Sequence, residues 1–120
     1  MKKGRWKTKI KDACVSAGTY RSYFDQIIEI LAEIMEKRDD TEELYQKSGG
    51  NPIIVHTNKA GAKNIVKHPA IVLWDDLNKS ALAYWRDLGL TPSGLKKIDE
   101  TALKKKKGNA LSEALKELGG

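Results

Sequence analysis

The sequence predicts a mainly α-helical chain. Two long amphipathic helices fold back as a helical hairpin, a small β-hairpin is inserted between them, and a basic segment flanks each end. Three observations carry this reading. Across Thr19–Lys47 the apolar residues Tyr20, Phe24, Ile27, Leu31 and Ile34 recur at alternating four- and three-residue steps, the period of one helix face. Ala70–Leu88 repeats the pattern with Ala70, Trp74, Leu77, Ala81, Tyr84 and Leu88. Between them, two β-branched runs, Asn51–His56 and Lys63–His68, flank a turn holding Asn58 and Gly61.

The first stripe is wide, because Tyr23, Ile28, Ile30 and Met35 extend it on both sides. No Gly or Pro interrupts the run, so Thr19–Lys47 is a rod of about 43 Å. A chain of 120 residues cannot wrap a compact core around that rod. Part of the stripe is therefore expected to lie against another copy of the chain.

Length allows one domain with appended ends: a basic arm over 1–18, a central helical oligomerisation domain over 19–98, and a lysine-rich tail over 99–120. One cysteine, Cys14, excludes an internal disulfide framework, and with only His56 and His68 beside it no metal centre or other cofactor is expected. No signal peptide and no membrane-spanning run is recognisable, which predicts an intracellular, soluble product. The net charge of +6 is unevenly placed. Residues 1–11 carry six Lys/Arg and no acid, whereas 12–50 carry four against nine Asp/Glu. Basic ends flanking an acidic rod suit a nucleic-acid partner, since each neutralised phosphate releases condensed counterions.

In chain order, Trp6, Ile10, Ala13, Cys14 and Ala17 mark a short helix from about Arg5 to Ala17, closed by Gly18. Thr19 is then expected to cap the long helix. Lys2, Lys3, Arg5, Lys7, Lys9 and Lys11 project from this arm as candidate phosphate contacts, and Lys104, Lys105, Lys106 and Lys107 form a second candidate surface. Glu33–Lys37 and Glu43–Lys47 are i,i+4 pairs in the favourable order. Asp25, Glu29 and Glu33 stack like charges on one face, either solvated or meeting basic residues of an adjacent subunit. A break near Asp39-Asp40, with Thr41 capping a final turn, is a further expectation. His56 and His68 could face each other across the hairpin, and they read as surface or packing residues rather than ligands.

Pro69 suits the first turn of the second helix. Its end is clearly written: Gly89 fits the left-handed position, Leu90 packs back on Trp85, and Thr91 caps a new turn led by Pro92. Asp75-Asp76 reads as helix N-terminal acids, not a metal-dependent nuclease site. Leu111, Leu115 and Leu118 mark a short amphipathic helix in the tail, suited to docking in a partner's groove. The chain has no phosphate loop, no paired-His motif, no nucleophile elbow and no Cys–His arrangement, so no enzymatic activity is expected.

The run Leu88, Gly89, Leu90, Thr91, Pro92, Ser93 resembles the motif that closes the central region of a large family of phage terminase small subunits. The resemblance extends back through Asn51-Pro52, His68-Pro69 and the helices to Tyr20. The family commonly continues with Ser-Arg, where this chain has Gly94 and Leu95, with Lys96 and Lys97 supplying charge. The resemblance implies an assembly of central antiparallel helices in a ring of about eight to eleven copies. It also implies binding of double-stranded viral DNA and a large terminase subunit carrying the ATPase and nuclease activities. Action in the cytoplasm of the infected host, with no membrane partner, follows from the same likeness. In that frame Tyr20, Phe24, Ile27, Leu31, Ile34, Trp74, Leu77, Ala81 and Tyr84 build the helical hairpin and the subunit interface. Two other readings compete: a small dimeric helix-turn-helix DNA-binding regulator, and a structural assembly protein that never touches DNA.

Overall fold

The computed structural model of the chain describes residues 1–101 together with Leu103 and Leu115. Its elements are α1 (Lys3–Ala17), a single 3₁₀ turn (Ser22–Phe24), α2 (Asp25–Lys47), β1 (Ile53–Thr57), β2 (Lys63–Lys67) and α3 (Pro69–Asp87). A further helical segment, α4, covers 92–101. The fold is mainly helical, with one two-stranded antiparallel sheet.

One device ends all three long helices. Gly18, Gly49 and Gly89 each follow a helix with positive φ, and paired amides cap the last carbonyls. At α3, Gly89 N–H donates to Arg86 O at 2.9 Å and Leu90 N–H to Trp85 O at 2.9 Å, the Schellman closure expected from the sequence. Thr91 then caps α4: Gly94 N–H donates to Thr91 Oγ1 at 3.1 Å.

The start of the long helix differs from expectation. Thr19 is not its cap; α2 begins at Asp25 after the 3₁₀ turn. Thr19 is buried, and its hydroxyl donates back to the Cys14 carbonyl of α1 at 3.4 Å. The rod is thus about 35 Å long. Nor does it break near Thr41: α2 is continuous, and the buried Thr41 hydroxyl donates to Lys37 O at 2.7 Å within the helix.

The core gathers Trp6, Ile10 and Cys14 of α1, Ile28, Leu31, Ala32 and Met35 of α2, and Ala81 and Leu88 at α3. Tyr20, Phe24, Ile27, Ile34, Tyr84, Trp85 and Leu90 pack around it. Burial pushes the Cys14 thiol pKa up, as an apolar site should. Arg38 ties three helices together. Its guanidinium lies over the Trp6 ring at 5.7 Å, donates to Asn78 Oδ1 of α3 at 3.3 Å and pairs with Asp39 at 3.0 Å.

Strands β1 and β2 pair with Ile53 opposite Lys67, Val55 opposite Ile65 and Thr57 opposite Lys63. The two histidines do not face each other, since His56 sits opposite Asn64. His68 instead caps α3, its Nδ1 accepting from Ala70 N–H at 3.0 Å, while its Nε2 lies 2.9 Å from Ser48 Oγ. Tyr45 stacks edge-on against the same ring and donates to Gly50 O at 2.6 Å, so the hairpin root is fixed between α2 and α3.

Candidate nucleic-acid interface and assembly faces

The six basic residues of the N-terminal segment lie on or beside a helix packed along α2, and helical spacing divides them into two flanks. Lys3, Lys7 and Lys11 recur every four residues, as do Asp25, Glu29 and Glu33 on α2. These columns meet within one chain. Lys3 Nζ lies 2.8 Å from Glu33 and 2.9 Å from Glu29, and Lys7 and Lys11 line one groove with Asp25 and Glu29. Hydrogen bonds that Lys3 donates to Glu33 and then to Glu29 raise the Lys3 pKa, and the bond to Glu29 lowers that of Glu29. Within the chain, Glu33 therefore pairs with Lys3, not with the expected Lys37, whereas Glu43–Lys47 forms at 2.9 Å as expected. Glu36 adds the cap that α1 lacks by accepting from the Lys3 backbone N–H.

Asp39 anchors the same seam, accepting from Trp6 Nε1 at 2.7 Å. Burial alone would push its pKa up, but the hydrogen bonds from Trp6 and Arg38 outweigh it and hold the carboxyl below the ordinary aspartate value.

Lys2, Arg5 and Lys9 fall on the other flank of α1. All three are exposed and in no ion pair among the described residues, although Lys9 Nζ lies 5.1 Å over the Trp6 ring. Here α1 presents a short basic stripe to solvent. Lys104, Lys105, Lys106 and Lys107, like most of the C-terminal amphipathic segment, lie outside the described residues.

The expected assembly residues separate by environment. Leu31 and Ala81 are buried in the chain's own core; Tyr20, Phe24, Ile27, Ile34, Leu77 and Tyr84 are half-buried, and Trp74 is exposed. A stripe one residue over carries open apolar surface at Tyr23, on the 3₁₀ turn just before α2, and at Ile30 on α2 itself. Tyr23 is 73% and Ile30 43% exposed, and Ile27 and Ile34 continue the same spacing along α2. The sequence signal for it is present, since Tyr23 and Ile30 widen the original stripe. Which edge α3 covers is not readable from one helix alone.

The motif residues Leu88, Gly89, Leu90, Thr91, Pro92 and Ser93 form the joint between α3 and α4. Leu88 and Gly89 are buried, and a Cβ on Gly89 would stand 2.6 Å from Ile98 Cδ1. A Cβ on Gly94 would stand 2.1 Å from the Arg86 carbonyl oxygen, so Gly94 lets α4 lie directly on the last turn of α3. Below the joint is a cleft of about 360 Å³ bordered by Arg21, Tyr23, Arg86 and Lys97.

Among the described residues, no group of His, Cys, Asp and Glu is placed to hold a metal ion, and no helix is long and apolar enough to cross a membrane. No curated protein and no solved structure matches the chain. A family model does, the one described as "Phage terminase, small subunit", over residues 3–105. That span takes in α1 to α4 and both strands, and the chain belongs to the phage terminase small-subunit family.

Proposed function

We propose that this chain is a non-enzymatic DNA-packaging subunit that assembles as a ring of about eight to eleven copies and binds double-stranded viral DNA. It presents that DNA to a large subunit carrying the ATPase and nuclease activities, in the cytoplasm of the infected host. The family match is the observation that carries this reading. The contacts joining Arg38 to Asn78 and Ser48 to His68 support reading α2 and α3 as an antiparallel helical hairpin. Open apolar residues on α2 supply a surface for a neighbouring copy.

The basic residues divide accordingly. Lys2, Arg5 and Lys9 meet DNA phosphates directly. Lys3, Lys7 and Lys11 hold α1 against the acids of α2 and add to the field. Lys104, Lys105, Lys106 and Lys107 form a second phosphate surface, and residues 111–120 contact the large subunit. A ring multiplies weak phosphate contacts, so no single site need bind tightly.

The test is duplex DNA binding across a salt series. For the unmodified protein, log affinity should fall steeply with log salt. The charge reversal K2E/R5E/K9E should weaken binding at every salt concentration and flatten that slope by about three for each arm engaged. A slope unchanged in this variant would remove α1 from the interface. No salt dependence at all in the unmodified protein would contradict DNA binding itself.

A further inference from the structure

Among the described residues, the β-hairpin has no substantial cover: each strand packs substantially only against the other, not against a helix. An isolated two-stranded hairpin is marginal in water. Yet one face sets Val55 directly opposite Ile65, 63% and 76% exposed, with Ile53 beside them and Lys63 and Lys67 at the two ends. Residues 51–68 carry three lysines and no acid, so hairpins gathered on one another would collect only positive charge.

A surface of opposite charge lies nearby in height. Residues 25–47 carry eight acids against three Lys/Arg. Near the C-terminal end of α2, Leu44 is 65% exposed, and Val72 and Leu73 are exposed on α3. The Arg38–Asn78 and Ser48–His68 contacts bracket these residues and set them at one level of the helix pair. Asp40 stands one turn before Leu44 and Asp76 one turn after Val72, and neither is in an ion pair among the described residues. This patch is within about two turns of the end from which the hairpin springs. Cyclic symmetry gives every hairpin the same relation to its neighbour's patch, so one such contact repeats around the whole ring.

We propose that the Val55–Ile65 face of each hairpin docks on the Leu44 and Val72–Leu73 surface of the adjacent copy, with Lys63 and Lys67 against Asp40 and Asp76. This contact rests on the ring reading and makes its interface heterologous, each copy reaching to the next. It also supplies the cover that the hairpin needs.

A charge swap in the full-length protein, read by native mass spectrometry over a dilution series, tests it. K63E/K67E and D40K/D76K should each raise the concentration needed for assembly by about tenfold or more, with helical circular dichroism unchanged. Combining all four substitutions should bring it back close to the unmodified value. V55T/I65T, which keeps β-branching at both positions, should weaken assembly in the same direction. The proposal is overturned if the two charge variants assemble like the unmodified protein, if combining them gives no recovery, or if V55T/I65T has no effect. A monomeric unmodified protein would instead sink the ring itself, and that outcome is visible before any variant is made.

Discussion

Gly89→Ala is expected to destabilise the fold by about 2–5 kcal/mol, from two separate terms. The residue sits at φ +72, where an L-residue costs about 1–2 kcal/mol. Its added Cβ would also stand 2.6 Å from Ile98 Cδ1 and 2.8 Å from Thr19 Cγ2. Thr19 is buried and held to Cys14, so it cannot give way easily, and overpacking of this kind costs about 1–3 kcal/mol. Gly61 isolates the first term, since its φ is +82 but nothing lies within 4 Å of its Cβ position. Thermal unfolding at matched protein concentration should therefore show Gly61→Ala lowering the midpoint by a few degrees and Gly89→Ala by roughly 10 °C or more. Equal shifts would mean that the joint between α1, α3 and α4 is not close-packed at Gly89.

A second large effect is expected at Ile30. In the free chain this side chain is on the surface, so Ile30→Asp should barely alter the helical spectrum or the folding of a single copy. At a subunit contact the same change removes a buried aliphatic group, worth about 1.5–3 kcal/mol, and buries a carboxylate as well. Each interface should lose at least 100-fold in affinity, and a ring needs every one of its interfaces. Tyr23→Asp, seven residues earlier on the same stripe, should act likewise. Light scattering of these variants should report small species that still carry a full helical signal. Intact assembly in both would take the Tyr23–Ile30 stripe out of the interface.

Much of this architecture can be read from the sequence because its local signals are strong. The Gly89-Leu90-Thr91-Pro92 run specifies a helix end and a new start through backbone chemistry alone, and the structure follows it bond for bond. Asn58 and Gly61 likewise fix the hairpin turn, with Asn58 Oδ1 accepting from the amides of Ala60 and Ala62. The start of α2 was hidden because Tyr20 and Phe24 keep the helical step across a linker, so periodicity does not mark the boundary. Thr19 has the right chemistry for a cap, but burial under Gly89 uses it differently. The acidic column Asp25–Glu29–Glu33 was ambiguous for a tertiary reason. Lys3, which pairs with Glu29 and Glu33, belongs to a column with Lys7 and Lys11 of the same spacing, but only the direction in which α1 folds back brings the two columns together. His68 is a packing residue against Tyr45, and its added role as a cap is not legible in the sequence because it depends on Ser48 and Ala70 meeting it in space. The open stripe on α2 could be named only once α1 and α3 had covered the other edges.

Ring assembly underlies the proposed function, and native mass spectrometry of the unmodified full-length protein without DNA tests it most directly. The expected result is one dominant species of about eight to eleven chains, held by the α2 stripe and present before any DNA is added. A clean monomer or dimer at micromolar concentration would contradict the ring, the shared phosphate surface it creates and the neighbour-to-neighbour docking of the hairpins.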